Sequence, residues 1–246
     1  MNLMEAKEML DARIGGDPDL QRKIDAVSRL QWIQSSYAFD VAQDPDRDPL
    51  TPEEIQVMLK GGSVGNRSLE DHIRIQNYAE MTRYVQGVLP LKDKVDRKLV
   101  EQVNCILCTG EAGEAVYRKR STVLNEFHIT PAAPDSIDAG MDKIIHRYNV
   151  AYRDLNPVQR ACLIHNEVLR VYPFDDANEA TARAMMNFEL MAAGLVPITF
   201  TMDHEQYRRG ISSYINRNDG IPFYNLVLQE EIDRYGVLMD YLNKEA

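Results

Sequence analysis

Residues 151–198 read AYRDLNPVQRACLIHNEVLRVYPFDDANEATARAMMNFELMAAGLVPI, and this stretch decides the fold. Asn156 followed by Pro157 opens a helix: the side-chain amide oxygen can accept from a free backbone N–H, and proline fits the first helical position without forfeiting a bond. A short acidic loop, YPFDDA, follows at 172–177. A second helix then runs from about Asn178 to Ala193, where Gly194 and Pro197 stop it. The unit is therefore helix, loop, helix.

Working outward, the same signals recur. Upstream, a helix is expected from about Ser136 to Tyr152. STVLNEFHI (121–129) carries β-formers, with Val123, Phe127 and Ile129 two or four apart, between basic RKR and proline-bearing TPAAP, and predicts a short hairpin or flap. Ser68 opens a helix through 68–88 with Ile73, Asn77, Met81, Tyr84 and Val88 at helical spacing, and another amphipathic segment covers Asp93 to Leu107. Thr51, Pro52 and Glu54 form a capping box, in which hydroxyl and carboxylate satisfy backbone donors left free at a helix start. A long helix spans about Asp19 to Phe39 with Ile24, Val27, Leu30 and Ile33 or Gln34 on one face, ended by the acidic loop AQDPDRDP at 42–49. Two more helices follow toward the C terminus. Apolar residues recur at three and four rather than alternating, so the class is all-α. No repeat or long linker divides the chain, and one core over 91–246 is expected, with an N-terminal helical segment over 1–90 packed on it.

Composition narrows the function classes. The 246 residues carry 28 Lys and Arg against 38 Asp and Glu, a net charge of −10. Such a field repels nucleic acid and anionic membranes. No apolar run approaches the roughly 20 residues that span a bilayer, and the start, MNLMEAKEMLDARIGG, has no signal-peptide core, so a cytoplasmic protein is expected. Cys105 and Cys108 make one C-x-x-C and Cys162 stands alone. With no second pair to complete a zinc site, they read as reduced thiols.

The loop and second helix of the opening stretch resemble the Fic (Fido) motif H-P-F-x-[DE]-G-N-[GK]-R-x-x-R, aligned here with Tyr172, Pro173, Phe174, Asp175, Asp176, Ala177, Asn178, Glu179, Ala180, Thr181, Ala182 and Arg183. The surroundings agree: Gly113, Tyr117 and Arg118 supply an upstream G-x-x-x-Y-R before the flap, and M-x-N-x-x-L-x-x-A-G follows. The resemblance covers about residues 25–240. It implies a Fic-type helical bundle with a β-hairpin flap, which in the family aligns a target segment. It also implies binding of ATP and Mg²⁺ at the loop, and transfer of AMP to a hydroxyl of a target protein. By the same resemblance Asp176 takes the magnesium position, Asn178 a phosphate-contact position, Arg183 the second arginine position and Phe174 the buried anchor. Each has a plain alternative: Asp176 and Asn178 are ordinary helix starters, Phe174 belongs in any core, and Arg183 can be a solvated side chain.

The departures fall on the chemistry. Tyr172 replaces the catalytic histidine, and forming phenolate from a group of pKa about 10 costs about 4 kcal/mol at neutral pH. His165, two turns back along the preceding helix, lies about 10 Å from the loop and reads as a core or capping residue. Ala177 and Glu179 replace glycines of the anion-binding turn, and Ala180 replaces the first arginine. Glu179 and Arg183, four apart with the acid first, suit an intrahelical pair at the former phosphate site. In family members with an N-terminal inhibitory helix, S/T-x-x-x-E-[GN] sets a glutamate on the second arginine. Here Ser36 and Asp40 occupy that pattern with Val41 behind them, leaving a shifted Asp40–Arg183 contact as the alternative partner for the arginine. The expectation is a Fic-fold protein impaired or inactive in adenylylation, acting as a binding or regulatory module toward a protein partner that the sequence does not name, with homo-oligomerisation open. The alternative is a divergent Mg-dependent nucleotidyl or phosphoryl transferase.

Overall fold

A computed structural model describes residues 2–42, 47–91 and 94–244. Among the described residues there are ten α-helices: α1 (Leu3–Ile14), α2 (Pro18–Val41), α3 (Pro52–Leu59), α4 (Leu69–Val88), α5 (Arg97–Thr109), α6 (Ile137–Val150), α7 (Pro157–Val171), α8 (Asn178–Ala192), α9 (His204–Arg217) and α10 (Ile221–Lys244). Capping boxes set four of the starts, at Asn2 with Glu5, Thr51 with Glu54, Ser68 with Asp71 and Asn156 with Gln159. Each satisfies two backbone donors at once.

α8 is the central helix. Every residue from Ala180 to Leu190 is buried, and the alanines at 180, 182 and 184 leave room for α7, α5 and α4 to approach its backbone. Around it runs one continuous core that includes Trp32, Ile33 and Tyr37 of α2, Val100 and Val103 of α5, Ile164 and Val168 of α7, and Phe223 and Val227 of α10. A smaller cluster joins Ala6, Leu10 and Ile14 of α1 to Tyr235, Leu238 and Leu242 of α10. On α4 the apolar face turns away from part of the expected stripe: Met81 and Asn77 are buried, whereas Ile73 is 50% exposed.

The expected hairpin flap is absent. Among the described residues there is no sheet; Leu124 and Ile129 make a single bridge around a 3-10 turn at Asn125–Phe127, and His128 takes φ 52° to close it. Leu124, Phe127 and Ile129 are buried, with the Phe127 ring edge-on to Tyr207 of α9 at 6.5 Å. Their spacing reflects anchoring onto the helical core. A turn this short leaves one residue pair to bridge. Residues 43–46 of the acidic loop 42–49 lie outside the described residues, as does Asp93, the expected start of the segment that forms α5 from Arg97.

Candidate functional site

The loop between α7 and α8 is held from three sides. Tyr172 ends α7 in the left-handed region (φ 50°, ψ 63°) and turns the chain out of the helix. Arg118, 4% exposed, donates from Nε to the Tyr172 carbonyl at 2.7 Å and from Nη1 to the Arg120 carbonyl at 2.8 Å. Its Nη2 donates to the carbonyls of Val171, at 3.3 Å, and Ala132. A cation is thus placed where the free carbonyls of α7 gather negative charge. Asn104 of α5 donates to the Asp176 carbonyl at 2.9 Å. Phe174 is 1% exposed, packs against Tyr117 at 5.6 Å and sits in a backbone bridge with it.

Asn178 is spent on this architecture. Its Oδ1 accepts from the Phe174 N–H at 2.9 Å and its Nδ2 donates to the Phe174 carbonyl at 2.8 Å, so both ends of the amide close the loop. Asp176 is exposed, and its Oδ1 accepts from the Ala177 N–H at 2.7 Å. Ala177 keeps the left-handed conformation (φ 56°, ψ 21°) that a glycine would adopt freely. The backbone turn therefore survives the loss of glycine, at a conformational cost of about 1–2 kcal/mol.

Arg183 is almost fully buried on α8, and its Nη2 pairs with Asp40 near the end of α2. The guanidinium also lies 5.1 Å from the Phe39 ring centroid and 5.5 Å from that of Phe200. The partner of Arg183 is thus Asp40, 143 residues away, and not Glu179; an ion pair in the core outweighs a helical-spacing pair worth only a few tenths of a kcal/mol. The second Asp40 oxygen accepts from the Tyr78 hydroxyl of α4. Ser36 is buried one turn earlier on α2. Nε and Nη1 of Arg183 are buried with no acceptor among the described residues.

Glu179 is in the first turn of α8 and makes no hydrogen bond or ion pair among the described residues. Burial pushes its carboxyl up to about 7, against the pull of Arg183. Tyr172 is half-buried, and that burial, together with the carboxylates of Glu179, Glu126 and Asp176, drives its phenol well above the ordinary tyrosine range. His165 lies in the core with no exposure, joined to Tyr207 at 2.9 Å and stacked on Phe223 at 4.8 Å; burial lowers its pKa to about 3. Tyr172 and Glu179, but not His165, border a groove of about 360 Å³ that Asp40, Arg74, Tyr78 and Asp176 also line. Cys108, an exposed residue, also lines it, its thiol pushed up to about 11 by partial desolvation and the field of Asp176, while Cys105 is half-buried and Cys162 is in the core.

The structure brings together Tyr172, Asp176, Asn178, Glu179, Asp40 and Arg183. Two contributors were not singled out from sequence. Tyr78 carries no local signal beyond its place on an amphipathic helix. Asn104, buried on α5, is a polar residue on an otherwise apolar face, and that pattern was its one readable mark.

A profile of the Fic/DOC family matches residues 94–190. The chain is 28% identical over 186 residues to a protein adenylyltransferase Fic of Nematostella vectensis, an overlap of 70% of this chain and 42% of that protein. It is 26% identical over 175 residues to the protein adenylyltransferase Fic of Aedes aegypti, covering 67% of this chain and 34% of that one. The chain therefore spans between about a third and two fifths of the length of these relatives. A Fic domain containing signaling protein from Bacteroides thetaiotaomicron superposes with a TM-score of 0.77 at 20% identity, over 100% of this chain and 99% of that one. A fragment of Fic-1 from C. elegans gives 0.78 at 15% identity, over 99% and 72%. These two likenesses speak to the fold.

Proposed function

The chain belongs to the Fic/DOC family, and from that premise we propose that it uses the Fic scaffold as a binding or regulatory module without histidine-dependent AMP transfer. The observation that carries this reading is the environment of Tyr172. A phenol could replace an imidazole base only if a nearby cation lowered its pKa. Arg118 is the cation beside it and is spent on backbone carbonyls; burial first, and then the carboxylates of Glu179, Glu126 and Asp176, move its pKa the other way.

The residues present also fit a triphosphate poorly. Glu179 puts a carboxylate into the first turn of α8, where phosphate oxygens would meet backbone donors, and Ala180 offers no guanidinium. Arg183 is occupied by Asp40. Magnesium is ordinarily held by one or two carboxylates together with phosphate oxygens, so Asp176 alone makes a weak site once the phosphates are excluded. One feature favours the second reading, a divergent Mg-dependent transferase: Ala177 preserves the left-handed turn, and Asp176 is accessible beside it.

Calorimetry with MgATP separates the two. The module reading expects no heat of binding up to millimolar nucleotide. Binding that Asp176→Ala abolishes would establish the transferase reading instead. A chain carrying Tyr172→His, Ala177→Gly, Glu179→Gly and Ala180→Arg, with Asp40→Ala to release Arg183, is expected to recover self-adenylylation. The same chain without Asp40→Ala is expected to stay silent.

A further inference from the structure

The far end of α8 borders a second cavity, roughly 20 Å along the helix from the candidate site. It has a volume of about 530 Å³ and lies where α1, α2 and α10 meet the turn that follows α8. Leu10, Ile24, Met191, Leu195 and Pro197 make its wall largely apolar. Two other side chains in the wall carry polar atoms that the fold leaves unpaired. Ser28 is 3% exposed and Tyr235 2%, and neither hydroxyl meets a hydrogen-bond partner among the described residues. Ser28 stands inside α2, where a serine ordinarily returns its hydroxyl to a carbonyl one turn earlier. Ser35 and Thr82 do so, donating to the carbonyls of Trp32 at 3.1 Å and Ala79 at 2.9 Å, and Ser28 does not. The Val196 N–H pulls on the phenolic oxygen of Tyr235 from outside hydrogen-bond geometry, and a donor there leaves the phenol's own proton unspent.

A hydroxyl taken out of water without a partner is costly, and the cost is returned by any group that pairs with it. Two such hydroxyls in one apolar wall describe a ligand with an apolar body and an oxygen function. The rim decides its charge. Asp11 and Asp25 are exposed lining residues, bound respectively to Lys7 and to the Gln21 amide at 2.9 Å, so neither is left to call for a cation. With these acids at the rim and a net charge of −10 on the chain, an anion is disfavoured. Glu231, one turn before Tyr235 on α10, lies outside this wall, and burial raises its carboxyl to about 8, so it adds little charge at neutral pH. The volume is within the range of small-molecule sites.

We propose that this cavity binds a neutral, largely apolar small molecule bearing a hydroxyl or carbonyl group, held by the hydroxyls of Ser28 and Tyr235. The inference does not depend on how the groove at the start of α8 is read.

The test titrates the full chain, by calorimetry and saturation-transfer NMR, with 2-naphthol as the hydroxyl probe and 2-acetylnaphthalene as the carbonyl probe. 2-Methylnaphthalene and 2-naphthoate are the apolar and anionic controls. At least one of the two oxygen-bearing probes is expected to bind, with 2-naphthoate about tenfold weaker or more. Tyr235→Phe and Ser28→Ala are each expected to weaken that probe about three- to tenfold, the loss of one neutral hydrogen bond, and to leave 2-methylnaphthalene unchanged. Tyr235→Phe removes an oxygen without a partner, so its urea midpoint is expected to match or exceed the parent's; Ser28→Ala supplies the binding readout if the other variant folds poorly. The proposal is overturned if neither probe binds, as in a cavity that holds water alone. It is overturned equally if both variants bind the probe as the parent does, if they weaken 2-methylnaphthalene to the same extent, or if 2-naphthoate binds as well as the neutral probes.

Discussion

Asp40→Ala is expected to destabilise the protein strongly and to confer no transfer activity. Arg183 has 1% of its side chain exposed, Asp40 has 22%, and two further donor atoms of the guanidinium already lack acceptors among the described residues. Removing one member of a buried pair costs about 3–5 kcal/mol because the other charge is left uncompensated. Water reaches Asp40, so the lower end, about 3 kcal/mol, applies. The Tyr78 hydroxyl loses its acceptor as well, which adds about 1 kcal/mol. A total of about 3–4 kcal/mol corresponds, for a chain of this size, to a fall of roughly 6–16 °C in the melting midpoint. Urea unfolding of the parent, Asp40→Ala, Arg183→Leu and the double variant gives both the loss and the coupling between the two residues. The coupling is expected at about 1–3 kcal/mol, with the double variant more stable than the sum of the single losses implies. A loss below about 1 kcal/mol in Asp40→Ala, or additivity within about 0.5 kcal/mol, would refute the claim that this pair is a buried fastening between α2 and α8.

Two other predictions concern backbone and pH. Ala177→Gly is expected to stabilise the fold by about 0.5–1 kcal/mol, because relief of the left-handed strain exceeds the added freedom of the unfolded chain. Gly194→Ala is its reciprocal: φ is 74° with nothing within 4 Å of the added carbon, so no clash adds to the strain, and after the reduced freedom of the unfolded chain is set against it a loss of about 0.5–1 kcal/mol in urea unfolding is expected. Opposite results in this pair would show that the loop tolerates the turn for other reasons. Glu231 is fully buried on α10 near Arg234, and burial raises its carboxyl to about 8. The folded state therefore keeps a proton that the unfolded chain releases between the ordinary carboxyl range and pH 8, and stability falls as pH rises through that window. Glu231→Gln removes this slope, so the variant is expected to gain on the parent between pH 5 and pH 8. Parallel unfolding curves at the two pH values would exclude it. His165, whose pKa is lowered, acts in the opposite sense as pH falls, and comparison with the parent cancels it.

Local signals were legible wherever local physics decides the outcome. Thr51, Ser68 and Asn156 announced helices through capping chemistry that reaches only three residues, and α8 begins at Asn178 and ends beside Gly194 as the stop signals imply. The flap misled because Val123, Phe127 and Ile129 alternate like a strand. Alternation records which side chains face apolar surroundings, and here Phe127 and Ile129 are anchored to the helical core without a paired strand, while Val123 is exposed. At the site, the residue types that oppose triphosphate binding were visible in the motif. The partner of Arg183 was not decided there, since a favourable i, i+4 spacing to Glu179 competes with a contact that only the tertiary fold creates. The closing of Asn178 onto Phe174 was equally beyond local reading, because an asparagine at a helix start has the same sequence signature whether its amide faces a ligand or its own backbone.

The 143 residues between Asp40 and Arg183 also impose an order in time. At ribosomal speeds of about 5–20 residues per second, α2 emerges roughly 7–30 seconds before the arginine that secures it. During that interval Trp32, Tyr37 and Phe39, each no more than 4% exposed in the finished fold, lack the C-terminal part of the core they join, including the Phe200, His204 and Tyr207 rings around Phe39. The nascent chain therefore presents an aromatic face with an acid at its edge, the kind of surface that chaperones hold, and the fastening of the groove becomes a late event of biosynthesis.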